Sequence, residues 1–196
     1  MECFRMKKRL TKIALAASLL SMPAVVGANE YTSLFAVEGG YNKVSADVTE
    51  SGQMFSVQDS KLGSAGLKLG AQGENFRVFL SARYYDAEDF SKLDTLGAEV
   101  EYLFHFSKPV SFFLSANAGK AFMKVGSKPY YASVSTNEYY YGGGAGFNVT
   151  VTDLIDVEVG ARYIDLDSEV TQGTATYKFN SITSAYGSII FKWQMD

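Results

Sequence analysis

The chain has 196 residues, of which 47% are hydrophobic and 14% aromatic, and its formal net charge at pH 7 is -3. This composition suits one domain; it is too apolar for a disordered chain, and the single cysteine excludes a disulfide scaffold. The acidic balance argues against nucleic acid as a partner, and the single histidine argues against catalysis built on histidine.

Residues 1–28 have the pattern of a secretory signal peptide. A basic segment at residues 7–12 precedes an apolar run at residues 13–20, and small residues follow as far as Ala28. The apolar run is well short of the roughly 20 residues that a membrane-spanning helix needs. The sequence therefore predicts export, cleavage after Ala28 and a mature domain of residues 29–196.

The mature domain shows alternation with a period of two, which is the period of a β-strand. In the segment 76–86, Phe76 and Val78 would lie on one face. Arg77 and Arg83 would lie on the opposite face. The same alternation predicts eight strands, near residues 31–42, 61–71, 76–86, 95–106, 110–123, 139–151, 155–165 and 177–193.

The connections between these strands alternate in length. Short turns, rich in turn-forming residues, are predicted at 72–75, 107–109 and 152–154. Longer polar loops are predicted at 43–60, 87–94, 124–138 and 166–176. This arrangement is typical of an all-β fold, the eight-stranded antiparallel up-and-down transmembrane β-barrel, with both chain ends in the periplasm.

The two faces of the predicted strands differ in a way that favours a barrel over a soluble sandwich. One face is apolar, whereas the other is rich in glycine with isolated charges, which suits a narrow interior. Aromatic residues gather near the strand ends and predict two interfacial girdles. At the loop end these are Tyr41, Tyr84, Phe122, Tyr139, Tyr141 and Tyr163. At the turn end they are Tyr31, Phe76, Phe104, Phe106, Phe112 and Trp193.

Charged residues on the inward face form the candidate site. Because an unpaired charge in a narrow interior is costly, we expect acids and bases there to pair across strands. The members are Glu38, Lys68, Arg77, Arg83, Glu99, Glu101, Glu158, Arg162 and Lys192. Two interpretations are open at this point: a gate of low conductance, or a polar core whose charges only satisfy each other.

The last third of the chain resembles the OmpA-like, porin-family outer-membrane β-barrel domain. Residues 144–166 combine a Gly-rich strand, a Thr-Asp turn and an acidic-x-Gly-x-Arg-Tyr strand, as that family does in its penultimate hairpin. Residues 185–193 resemble the closing strand of the family, although three residues follow the terminal aromatic here.

The resemblance implies a location in the outer membrane of a Gram-negative bacterium, among outer-membrane lipid and lipopolysaccharide. It also implies an interior ion-pair network that blocks or gates the lumen. A further implication is that the closing strand carries a signal for the barrel assembly machinery, at Gly187, Ile189, Phe191 and Trp193.

The function predicted from these observations is structural: an outer-membrane barrel that supports envelope integrity, with at most narrow passage of ions or small solutes. The alternative is an adhesin that binds host or surface ligands through the loops at 43–60 and 124–138. An enzyme is disfavoured, because His105 lies beside a short turn, at the opposite end from the outer leaflet. No cofactor or metal site is predicted; acids at Asp86, Glu88 and Asp89 would bind Ca²⁺ weakly at most.

Overall fold

The computed structural model describes residues 31–50, 53–86, 92–125, 134–172 and 175–194. The predicted signal peptide and its cleavage site at Ala28 lie outside these residues. Among the described residues, no helix is both long and apolar enough to cross a membrane.

Eight strands form one closed barrel. Each strand pairs antiparallel with the next in the chain, and β8 pairs with β1 to close the sheet. The predicted eight-stranded up-and-down barrel is therefore confirmed. The strands are β1 (Thr32–Glu50), β2 (Gln53–Gln72), β3 (Phe76–Asp86), β4 (Lys92–His105), β5 (Val110–Val125), β6 (Val134–Thr152), β7 (Ile155–Gln172) and β8 (Ala175–Gln194).

The strands are longer at the loop end than the sequence analysis predicted. The long loop predicted at 43–60 is wrong, because β1 and β2 remain paired through this segment as far as Glu50 and Gln53. The register shifts between Val44 and Ala46, so a bulge interrupts the alternation that sequence reading relies on. This bulge and the polar residues beyond it made a paired hairpin look like a loop.

The other predicted loops are also shorter. The ladder of β5 and β6 extends to Val125 and Val134, which leaves 126–133 outside the described residues. Strand β7 extends to Gln172 and β8 begins at Ala175, so the predicted loop at 166–176 is mostly strand. Strand β4 begins at Lys92, inside the predicted loop at 87–94.

The outer surface carries the apolar face that the alternation predicted. Leu69 and Leu80 are 57% and 67% exposed, whereas the inward Phe79 between β2 and β4 is fully buried. At the turn end, aromatic rings form a continuous outer ladder across β3 to β6. Successive ring centroids are 4.8 Å apart for Phe76–Tyr102, 4.7 Å for Tyr102–Phe104, 6.0 Å for Phe104–Phe112 and 5.5 Å for Phe112–Phe147.

Inside the barrel, glycines make room for large aromatic rings. A Cβ placed on Gly160 would lie 3.0 Å from Cζ of both Phe113 and Tyr186. A Cβ on Gly146 would lie 2.7 Å from Cε1 of Phe113. The predicted glycine-rich interior therefore has a packing reason, because a side chain at Gly160 would displace both rings.

Replacing Gly160 with valine tests this packing. We expect Gly160→Val to lower the free energy of unfolding by about 1–3 kcal/mol, because the added methyl groups overpack the two rings. The measurement is urea unfolding of the barrel in lipid vesicles, followed by the fluorescence of Trp193, the one tryptophan in the chain.

Gly39→Val is the matched control for this prediction. Gly39 lies on the outer face of β1, and its nearest contact for an added Cβ is the Ser64 carbonyl oxygen at 4.0 Å. The control variant should change the free energy of unfolding by no more than about 0.5 kcal/mol. An equal loss in both variants would contradict the packing argument.

Candidate functional site

All nine charged residues predicted to face inward do so, and they come together in the lumen. Eight of them are 0–3% exposed, and the side chain of the ninth, Lys192, is 13% exposed. They reach the lumen because each occupies one of the alternate strand positions whose side chains point into the barrel. The structure adds a tenth member, Asp156, which is 1% exposed. We call these ten residues the charged core.

Lys68 on β2 is the centre of the charged core. Its Nζ lies 3.1 Å from Glu158 Oε1, 3.3 Å from Glu101 Oε1, 3.6 Å from Glu99 Oε1 and 3.8 Å from Glu38 Oε2. One buried ammonium is thus shared by four carboxylates from β1, β4 and β7. The same cation lies 4.8 Å from the ring centroid of Phe79 and 5.5 Å from that of Tyr186.

Two arginines hold Glu38 on β1. Arg162 donates two parallel hydrogen bonds to its carboxylate, Nη1 to Oε1 and Nη2 to Oε2, each 2.8 Å long. Arg83 donates from Nε to Glu38 Oε1 at 2.9 Å and from Nη2 to Glu99 Oε2 at 2.6 Å. Paired planar contacts of this kind are the strong form of a charge-assisted hydrogen bond. The Arg162 guanidinium also stacks 4.2 Å from the ring centroid of Tyr186.

Nearer the turn end, Asp156 joins two cations. Its Oδ2 accepts from Arg77 Nη2 at 2.6 Å, and its Oδ1 accepts from Lys192 Nζ at 2.6 Å. Asn148 completes the group, because its Oδ1 accepts from Arg77 Nη1 at 3.0 Å and its Nδ2 donates to Asp156 Oδ2 at 3.2 Å. Asp156 was not among the residues predicted from the sequence, although it lies two residues before Glu158 and therefore on the same face of β7.

The charged core contains five acids and five bases, so its formal charges cancel. The pairs also cross the lumen: Arg77 on β3 meets Asp156 on β7, and Lys68 on β2 meets Glu158 on β7. These strands are not neighbours in the sheet. Removing one partner from such a buried pair leaves an uncompensated charge, which is strongly destabilising.

The lumen toward the loop end has a different character. Ten buried residues form a hydrophobic cluster there, which we call the apolar cluster. Its members are Val44, Leu62, Tyr85, Leu93, Ala121, Met123, Tyr140, Ile164, Leu166 and Ile182. This layer was not predicted from the sequence, from which an interior of glycine and charged residues was expected throughout.

His105 lies at the turn end, as predicted. Its Nδ1 is 2.8 Å from Ser111 Oγ, and its Nε2 is 3.2 Å from the carbonyl oxygen of Glu74. It is therefore a hydrogen-bonded residue of the rim. Within the described residues, no group of three or more His, Cys, Asp or Glu side chains is placed to hold a metal ion. Asp86 is exposed at the end of β3, and Glu88 and Asp89 lie outside the described residues.

Several solved structures share this architecture. Neisserial surface protein A superposes with a TM-score of 0.62 at 19% identity, over 81% of this chain and 97% of that chain. The fold is that of the small outer-membrane β-barrels. The N-terminal β-barrel domain of Pseudomonas aeruginosa OprF gives a TM-score of 0.52 at 9% identity, over 82% and 97%. The outer membrane protein AlkL, solved in DMPC lipid bilayers, gives 0.51 at 9% identity, over 87% and 93%.

These likenesses concern the fold. No family model matches the chain, and no curated protein matches it by sequence. The resemblance to the OmpA-like family therefore stays a prediction, and so does the absence of enzymatic activity. The predicted assembly signal at Gly187, Ile189, Phe191 and Trp193 lies on the outward face of β8, and its role also stays a prediction.

The central lysine can be tested by removing its charge. We expect Lys68→Met to lower the free energy of unfolding by about 3–5 kcal/mol, because four buried carboxylates lose their shared cation. The measurement is urea unfolding in lipid vesicles, with the folded fraction read from heat-modifiable migration on gels.

Lys120→Met is the control for this prediction. Lys120 is exposed on the outer face of β5, where its Nζ lies 4.9 Å from the ring centroid of Tyr139. Its replacement should change the free energy of unfolding by no more than about 0.5 kcal/mol. A loss in Lys68→Met as small as that in the control would show that the charged core adds no stability.

Proposed function

We propose that the chain is a structural barrel of the Gram-negative outer membrane and that its lumen is closed to ions. In this proposal it is exported with cleavage near Ala28, supports envelope integrity and has no enzymatic activity. The observation that carries the proposal is the set of ion pairs across the lumen. Charged side chains on strands that are not neighbours in the sheet form salt bridges with each other in the space that water would occupy in an open pore.

Two features of the interior support closure rather than conduction. The charged core fills the lumen with ten paired groups that leave no formal net charge to select or attract an ion. The apolar cluster then fills the loop end, where a permeating ion would lose hydration without gaining a polar partner. An ion would therefore have to cross two barriers of different chemistry.

The outer surface supports a membrane location. Its exposed apolar face lies between the two aromatic girdles, and such belts are typical of membrane interfaces. At the loop-end girdle, Lys120 lies beside Tyr139, and a cation at such a position would suit phosphate-bearing headgroups of lipopolysaccharide. We propose outer-membrane lipid and lipopolysaccharide as the surroundings of the barrel for this reason.

The adhesin alternative depends on the segments at 43–60 and 124–138. Pairing of β1 with β2 removes most of the first segment as a free loop, and Tyr130 and Tyr131 of the second lie outside the described residues. Binding of host or surface ligands therefore stays a prediction, and the structural role has the better support.

Single-channel recording tests the closed lumen. The barrel, purified from membranes after export with its own N-terminal segment, is inserted into planar bilayers, and heat-modifiable migration confirms that it is folded. We expect no discrete openings, because both barriers remain in place. Reproducible unitary currents from the folded wild-type barrel would contradict the proposal and favour a narrow porin.

The assembly signal can be tested on the closing strand. We expect Trp193→Ala to reduce the amount of folded barrel in the outer membrane severalfold, because the terminal aromatic of β8 is proposed to engage the assembly machinery. Phe104→Ala is the matched control, since Phe104 is a turn-end girdle residue of nearly equal exposure, 41% against 42% for Trp193. Equal yields of the two variants would show that position 193 acts only as a girdle residue.

A further inference from the structure

A small polar patch lies where the charged core meets the apolar cluster. It occupies neighbouring positions on three adjacent strands. Glu99 pairs with Asn117 and Gly97 with Gly119 across β4 and β5. Asn117 pairs with Gly142, and Gly119 with Tyr140, across β5 and β6. We call these six inward-facing residues the polar patch.

The polar patch contains buried polar atoms without hydrogen-bond partners. Within the part of the chain that the structure describes, Asn117 Nδ2 and Oδ1, Tyr140 Oη and Glu99 Oε1 each lack one. The three residues are 1%, 2% and 0% exposed, respectively. Lys68 Nζ is 3.6 Å from Glu99 Oε1, which is an electrostatic contact and is too long for a hydrogen bond.

The neighbouring strand provides an internal comparison. Asn148 on β6 is also inward-facing and buried, at 3% exposure, but both ends of its amide are bonded, to Arg77 and to Asp156. The same side chain is thus fully satisfied at one place in the lumen and wholly unsatisfied at another. Because buried polar groups in folded proteins are almost always hydrogen-bonded, Asn117 requires a partner that is not a protein group.

The chemistry of the patch identifies the class of that partner. Asn117 Nδ2 needs an acceptor, whereas Asn117 Oδ1 and Glu99 Oε1 need donors. The charges of the charged core already cancel, so a bound ion would leave one charge uncompensated. The partner is therefore neutral, and it both donates and accepts hydrogen bonds.

The space in front of the patch limits the size of the partner. Three of the six residues are glycines, and the space beside them is too small for a side chain, because a Cβ on Gly119 would clash with the carbonyl oxygen of Leu96. The room is narrow, since a Cβ on Gly142 would lie 3.0 Å from Asn117 Oδ1 and one on Gly97 would meet the hydroxyl of Tyr140. We infer that the polar patch binds ordered water inside the barrel, held between the charged core and the apolar cluster.

Water contacts of side-chain amides provide the test. The ¹⁵N-labelled wild-type barrel in deuterated lipid nanodiscs is used to record NOESY and ROESY cross-peaks at the water frequency. The amide protons of Asn117, assigned by their loss in Asn117→Leu, should give cross-peaks whose signs are those of long-lived bound water. The amide protons of Asn148 should give none, because its partners are protein groups.

A second measurement detects the bound water at backbone amides near the polar patch rather than at the Asn117 side chain. In the folded Asn117→Leu variant, the leucine should displace the water, and water cross-peaks at the backbone amides of Gly97 and Gly142 should be lost. Tyr140→Phe, which removes only a hydroxyl, should weaken the water cross-peaks of the Asn117 amide protons. If Asn117→Leu does not fold, Tyr140→Phe takes its place. The inference is overturned if wild-type Asn117 shows no water cross-peaks, or if it shows cross-peaks to lipid methyl groups instead.

Discussion

The structure depends on the requirement that buried charge be compensated. Lys68 projects into a lumen whose side chains exclude bulk solvent, and an ammonium there is tolerable only with carboxylates close by. No single hairpin supplies them. Glu38 comes from β1, Glu99 and Glu101 from β4, and Glu158 from β7, so the cation is satisfied only when strands from both halves of the chain are in place.

This requirement links the interior to the order of assembly. Arg83 and Glu99 belong to one hairpin and can pair early, whereas Lys68 and Glu158 are 90 residues apart in sequence. Contacts of such long separation form only after the cost of loop closure has been met. Among the described residues, Glu158 and Arg162 on β7 form their ion pairs with residues of β1 to β4. These two charges therefore remain uncompensated until β8 joins β1, and their pairing favours the closed barrel over partly closed arrangements.

The same alternation produces both surfaces of the wall. In β3, Phe76 belongs to the outer aromatic ladder and Arg77 to the charged core, although they are adjacent in sequence. A shift of one residue in register would place the arginine on the apolar outer face and the ring among the ion pairs. The glycines add a second condition on register, because rings such as Phe113 fit only where Gly146 and Gly160 face them.

Much of this arrangement was predictable from the sequence because it depends on parity alone. The alternation of inward and outward positions placed nine charged residues in the lumen and the aromatic residues of the predicted girdles outside it. Asp156 was not predicted, although it lies inside the predicted strand 155–165 and the alternation that identified Glu158 also turns it inward. Partners could not be predicted, since the pairing of Arg77 with Asp156 depends on how the strands are staggered when the sheet closes.

The apolar cluster and the length of the first hairpin were missed for related reasons. Near the loop end, inward residues such as Val44 and Ile164 are as apolar as those that face outward elsewhere. A pattern in which both faces carry apolar residues does not say which one is buried. Beyond Val44 the register between β1 and β2 also shifts, because β1 advances from Val44 to Ala46 while β2 runs from Ser60 to Val57. The additional residue of β2 breaks the period of two that defines a strand in sequence.

The unequal strand lengths have a consequence for how the barrel meets its surroundings. Strands β1, β2 and β8 contain 19, 20 and 20 residues, whereas β3 contains 11. Because a strand rises about 3.3 Å per residue, the eight additional residues of β1 over β3 amount to roughly 26 Å of wall. Among the described residues, the loop-end rim is thus a slope, high where the sheet closes and low at β3. A large partner that approaches this end would meet β1, β2 and β8 before it meets β3.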